Sequence, residues 1–255
     1  MGTKGADVNS SPNIALACLD LAGTTLADDR MVETAFAEAI ATQGIVPGTT
    51  TYARAMVQVH RNRGLPKVDI LRGLFPEDEA RAQAAHHAFE RSYQAAIERV
   101  GLSPIPGAED TIDKLAGAGI RVCLITGFSR STLERILDTL NWYDRVSLAL
   151  CPDDVGRGRP YPDLVLSAVL QLGIDDVRQV AVAGDTESDV LCGRRAGAAV
   201  VAGALSGAHG RDRLVEAGAT HIIESVADFP ALVLGEGGSD TADLHPPAVT
   251  APPAR

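Results

Sequence analysis

Asp20 stands at the end of the apolar run Leu16-Ala17-Cys18-Leu19, and Gly23, Thr24 and Thr25 follow it in a stretch built to turn sharply. A carboxylate at the tip of a buried strand is placed to attack an electrophile or to ligate a cation. Two residues later, where acid/base work would ask for a second carboxylate, the chain has Ala22. Three further stations carry polar groups just after apolar runs. Thr126-Gly127 follows "IRVCLI", Asp185 opens "DTESD" and is followed by Asp189, and Arg159 sits in the punctuated stretch "GRGRPYPD". Three carboxylates and a hydroxyl suit a hard cation with oxygen ligands, Mg²⁺ first among them. Such a cation would hold a phosphoryl group against Asp20, with Thr126 and Arg159 binding the remaining phosphoryl oxygens. Each station alone reads more simply as a turn or helix cap. The ordered set of four is what points to phosphoryl transfer.

These stations need strands to carry them. Short apolar runs at 14–20, 120–126, 145–151, 179–185, 198–205 and 221–225 are nearly continuous in apolar character, as buried parallel strands are. Helical patterns alternate with them at about 108–117, 129–140, 161–172, 187–196 and 211–217. The alternation predicts an α/β fold, a doubly wound parallel sheet whose ligands gather at the carboxyl ends of its strands. Residues 28–104 break the pattern with helical periodicity alone and are expected to form a helical cap inserted after the first strand. The core is expected from 13–27 and 105–234. The termini 1–12 and 235–255, rich in Gly, Pro and small polar residues, are expected to be disordered.

Composition narrows the classes. A 255-residue chain, 45% hydrophobic with a formal charge of −10, is an unpromising nucleic-acid binder. It has neither a secretory core nor an apolar run of membrane-spanning length, so a cytoplasmic location is the expectation. Cys18, Cys123, Cys151 and Cys192 form no CxxC pair, and Cys18 and Cys123 read as buried thiols. His86 and His87 lack metal-ligand spacing and read as surface residues.

The order "DLAGTT", "TGFSR", "GRPYPD", "GDTESD" resembles the haloacid dehalogenase superfamily over residues 14 to about 232, and within it the phosphonatase branch. That branch has Ala where most phosphatases of the superfamily have a second Asp, and Arg where they have Lys, as at Ala22 and Arg159. It also carries a Schiff-base lysine in a Gly-x-x-Lys segment of its helical cap, matched here by "RGLPKVD" with Lys67. The resemblance implies that Asp20 is the nucleophile and a Mg²⁺ ligand. Ala22 would ligate through its carbonyl, Asp185 would complete the protein ligands, and Asp189 would orient a metal-bound water. Thr126, Gly127 and Arg159 would hold phosphate, supported by the Gly23-Thr24 turn, and Lys67 would form the imine. It also suggests a homodimer joined through the cap.

Ala22 and Lys67 belong to one chemistry. Ester cleavage benefits from a proton delivered to the leaving oxygen. C–P cleavage leaves its electron pair on carbon, and a protonated imine on the neighbouring carbon accepts that pair as an enamine. Pro66 suits the first position of a helix, which would put Lys67 in the first turn, where the positive end of the dipole and desolvation lower an amine's pKa. The implied substrate is phosphonoacetaldehyde or another 2-oxoalkylphosphonate. Phosphonatases proper have Met where this chain has Arg63, His where it has Ile70, and a Cys in the segment reading "LADDRMVE" here. The alternative is a phosphatase for a small phosphorylated metabolite. A metal-free dehalogenase and a non-catalytic phosphoryl-binding module fit the full set of stations less well.

Overall fold

The computed structural model describes residues 13–27 and 30–235. Its strands are β1 Leu16–Asp20, β2 Arg121–Ile125, β3 Leu148–Leu150, β4 Val180–Gly184, β5 Val200–Ala204 and β6 His221–Ile223. They form one parallel sheet in the order β3-β2-β1-β4-β5-β6. β1 lies in the middle, and the chain builds outward from it first one way, then the other. The crevice where the order reverses lies beyond the carboxyl ends of β1, β2 and β4, which is where such sheets bind ligands.

All five residues of β1 are buried because both faces of the sheet are covered. Leu16 and Cys18 face α7 (Asp163–Gln171) and α8 (Glu187–Ala196), meeting Leu164, Val165, Val190 and Cys192. Ala17 and Leu19 join the core formed with α5 (Ala108–Gly117), α6 (Arg130–Leu140) and α10 (Phe229–Leu234). α9 (Arg211–Glu216) lies between β5 and β6 in the chain and buries Leu214.

Between β1 and α5 the described chain is wholly helical: α1 Met31–Thr42, α2 Thr50–Arg61, α3 Lys67–Leu74 and α4 Glu79–Val100. The chain leaves and rejoins the sheet at adjacent points, where Ala27 N–H donates to the Ser103 carbonyl (2.9 Å) and Ile105 N–H to that of Thr25 (2.9 Å). An aromatic column ties these helices to the sheet. Phe36 packs on Phe89 (4.6 Å between centroids), Phe89 on Tyr93 (6.0 Å) and Tyr93 on Phe128 (4.8 Å), the last following β2.

The six strands and the five helices expected between them are all present, with β3 reduced to three residues. The helix α10 and the single 3₁₀ turns at 152–154, 177–179 and 226–228 were not anticipated. Pro66 sits one position earlier than expected, at the N-cap of α3, so Lys67 is its first residue. His86 is not a plain surface residue: its side chain is 17% exposed and approaches Glu90 (3.5 Å), whereas His87 is exposed. All four cysteines are buried and free. The disorder expected of 1–12 and 236–255 concerns residues outside those described, while Gly235 is ordered as the C-cap of α10. Among the described residues no helix is long and apolar enough to cross a membrane.

Candidate active site

The turn after β1 is fixed by its own backbone. The amides of Thr24, Thr25 and Leu26 converge on the Leu21 carbonyl (3.1, 2.9 and 2.8 Å), and the Thr25 hydroxyl donates to the Asp20 carbonyl (2.8 Å). Gly23 has φ +99°, and a Cβ there would run into the Asp185 carboxylate, so any other residue would displace that side chain. Thr24 Oγ1 donates to Asp185 Oδ1 (3.4 Å). The turn thus sets Asp20 and Asp185 face to face.

Asp20, Asp185 and Asp189 are 3%, 1% and 1% exposed, and one oxygen of each lies within 4.8 Å of the others. Burial, and then the Asp20 charge, push Asp185 up to about 7, against the opposing pull of its bond from Ala208 N–H (2.6 Å) and of Arg63 and Arg159. Asp189 closes the first turn of α8: it accepts from the amide (3.0 Å) and hydroxyl of Thr186, whose Oγ1 caps the helix in return. Three buried carboxylates with one raised towards neutrality fit a hard divalent cation with oxygen ligands.

Arg159, also buried, donates from Nη1 to Asp20 Oδ1 (2.6 Å) and to Asp189 Oδ1, while its Nε is buried with no hydrogen-bond partner. A guanidinium stays ionised at any working pH, so a buried N–H without an acceptor marks a position suited to an anion. Thr126 is buried beside it, its amide bonded to the Leu150 carbonyl (3.1 Å) and its hydroxyl accepting from Phe128 N–H (3.2 Å). The Gly127 carbonyl accepts from the amide of Lys67 (3.1 Å), one of the helix-end N–H groups that α3 itself cannot satisfy.

Lys67 is 6% exposed, and its Nζ lies 4.6 Å from the centre of the Phe128 ring. It lines one cleft with Asp20, Ala22, Thr126, Arg159 and Asp185. The structure therefore brings together every station singled out in the sequence, with Asp189 behind Arg159 and Gly127 beneath α3. Arg63, Gly64 and Ile70 complete the helical side of the cleft, with Val32 and Phe36 as an apolar wall and Thr186 opposite. Its volume is about 20 Å³, enough for roughly one water molecule. Thr186 and Phe128 were missed by sequence reasoning because a Thr cap and an apolar aromatic look the same anywhere. One available signal went unused: of 23 Lys and Arg residues only Lys4, Lys67 and Lys114 are lysines, so a buried lysine is conspicuous here.

A family model described as haloacid dehalogenase-like hydrolase matches residues 14–197. The phosphonoacetaldehyde hydrolase of Hahella chejuensis is 31% identical over 204 residues, covering 68% of this chain and 69% of its own. That of Bacteroides fragilis is 27% identical over 214 residues, covering 69% of this chain and 81% of its own. Among solved structures, the phosphonoacetaldehyde hydrolase-like protein from Oleispira antarctica superposes with a TM-score of 0.75 at 23% identity, over 92% of this chain and 96% of its own.

Proposed function

Because this chain belongs to the haloacid dehalogenase-like hydrolases, we propose that it hydrolyses the C–P bond of a small 2-oxoalkylphosphonate through Asp20 and Lys67. The observation that carries this reading is the burial of Lys67 in the cleft that Asp20 lines. Imine formation needs an amine within reach of the carbonyl carbon next to the phosphorus that Asp20 attacks, and Lys67 lines the same cleft as Asp20. The names of the relatives support the same substrate class.

In this reading the neutral Lys67 amine adds to the substrate carbonyl, and with one proton taken from solvent water is expelled, giving a protonated imine. An Asp20 oxygen then attacks phosphorus. The C–P bond breaks as the P–O bond forms, and its electron pair becomes the C=C bond of an enamine while the iminium nitrogen loses its charge. Arg159 and Thr126 hold the phosphoryl oxygens in line, and the unpartnered Nε of Arg159 supplies a donor for one of them. The enamine takes a proton from water on the carbon that lost phosphorus. A second water releases the carbonyl product from Lys67, and a third cleaves the aspartyl phosphate to free phosphate. Mg²⁺ would be held by Asp20, the Ala22 carbonyl and Asp185, with Asp189 behind them, and would supply positive charge beside the phosphoryl group. Ala22 leaves no second acid at the nucleophile, and this chemistry needs none. Residues 28–104 act as the cap and the rest of the fold as the catalytic core.

The test is phosphate release from oxophosphonates beside a panel of phosphate esters, with borohydride added to trap the imine. Substrate-dependent reduction is expected to label Lys67, and Lys67→Ala to lose C–P cleavage by ~10³-fold or more. Full activity in Lys67→Ala, or ester turnover well above that of every oxophosphonate, refutes the reading in favour of a phosphatase for a small phosphorylated metabolite.

A further inference from the structure

Five residues, 62–66, connect α2 to α3 and bring Arg63, Gly64 and Lys67 into the cleft. A helix leaves its last carbonyls and first amides without internal partners. At both edges of this connector the partner comes from the sheet side of the molecule. Arg213 of α9 donates from Nη2 to the carbonyl of Arg61, the last residue of α2 (2.6 Å), and Gly127 accepts from Lys67 N–H (3.1 Å). Arg213 is held for this role by Glu187, two residues beyond Asp185, through Nε (2.9 Å) and Nη2 (2.8 Å). Glu187 lies in the first turn of α8 and its amide donates to Nδ1 of the buried His209 (2.9 Å). His209 N–H in turn donates to the Asp185 carbonyl (3.2 Å). The helix polarities agree with this layout, an anion at the start of α8 and a cation at the end of α2.

We propose that Arg213 is a positioning residue: with Glu187 it forms a reversible latch that keeps the α2–α3 connector, and so Lys67, docked on the catalytic edge. The cleft, at about 20 Å³, is too small for any phosphonate, so the connector undocks to admit one. The latch itself opens readily. The side chains of Arg213 and Glu187 are 36% and 41% exposed, and solvent weakens an exposed pair of this kind until it shifts a population by no more than about fivefold. Water can replace the latch at a helix end. The effect on turnover rests on the function proposed above; the effect on access to Lys67 does not.

The scarcity of lysine makes a direct test possible. The full-length protein is treated briefly with an acetylating N-hydroxysuccinimide ester, and modification of Lys67 is measured by peptide mass spectrometry relative to the exposed Lys114. Arg213→Met and Glu187→Gln are each expected to raise the Lys67:Lys114 ratio by about fivefold, the population shift that loss of one exposed pair produces. Arg213→Lys, which keeps a donor, should recover much of the protection. Arg178→Met, which removes a surface pair with Asp176 elsewhere, should leave the ratio at the wild-type value. In the same proteins kcat/KM for an oxophosphonate should fall by up to about fivefold, chiefly through KM. An unchanged ratio in both folded latch variants, or an equal rise in Arg178→Met, overturns the latch. Absence of oxophosphonate turnover in the wild type overturns the proposed function while the labelling ratio still decides the latch.

Discussion

At the scale of single residues, Asp185 is the most informative group. Its carboxyl, raised to about 7 by burial and by Asp20, must give up a proton before it can ligate a cation. Mg²⁺ affinity is therefore expected to rise with pH up to about 7 and level off above it, with up to one proton released below that point. Isothermal titration in two buffers of different ionisation enthalpy checks this. The sign for folding is opposite. A carboxyl whose folded pKa lies above its unfolded value stabilises the fold below about pH 4 and loses that contribution as pH rises through 7. Asp185→Asn should flatten this dependence in metal-free protein and abolish the tight cation site. Asp20, Thr126 and Asp185 were legible at this scale because each follows an apolar run at a strand end. Arg159 differs from its expected role in one respect: here it bridges Asp20 and Asp189.

At the scale of elements, the docking of helices on sheet depends on positions that carry no sequence signature. Glu90 on α4 reads as one more charged residue of a surface helix. It is instead 9% exposed, accepting from the hydroxyls of Ser129 (2.5 Å) and Thr132 at the start of α6. Burial raises its pKa, but the bonds from His86, Ser129 and Thr132 outweigh it and leave the group below the usual carboxylate range. Its contribution is thus present above about pH 4.5 and lost as pH falls through the folded value. Glu90→Ala should cost about 1–3 kcal/mol in urea melts at pH 7 by stranding two hydroxyls, and Glu90→Gln should weaken the acid dependence. Gly158 is a second such position. A Cβ there would enter the Pro66 ring, so Gly158→Ala should expose Lys67 to acetylation without lowering the melting temperature by more than a few degrees. Strands and most helices were readable because periodicity records burial. α10, six residues long, is too short to show a period.

At the scale of the whole molecule, the helical segment and the sheet share one hydrophobic cluster, running from Val32 and Phe36 through Phe89 to Leu133 and Ile136. Trp142, the sole tryptophan, is fully buried on the sheet side with its Nε1 bonded to Glu109 (2.9 Å). Its emission should shift red in one cooperative step on global unfolding and stay constant when the helical segment undocks. A shift on adding phosphate alone would show that the two parts move as one. The alternation of strand and helix made the sheet legible from sequence. The seating of the helices on the sheet was not, because it rests on Gly127 against Leu65 and Lys67 and on Gly158 against Pro66, pairs that are distant in the chain.

The paired crossing at Ala27–Ser103 and Thr25–Ile105 brings both ends of the helical segment to one place. Two passages lying side by side form a seam, so a helical stretch of similar packing surface spliced in there is expected to leave β1 in place. A chimera spliced at 27 and 103 should keep the attack proposed for Asp20 and take its choice of molecule from the donor.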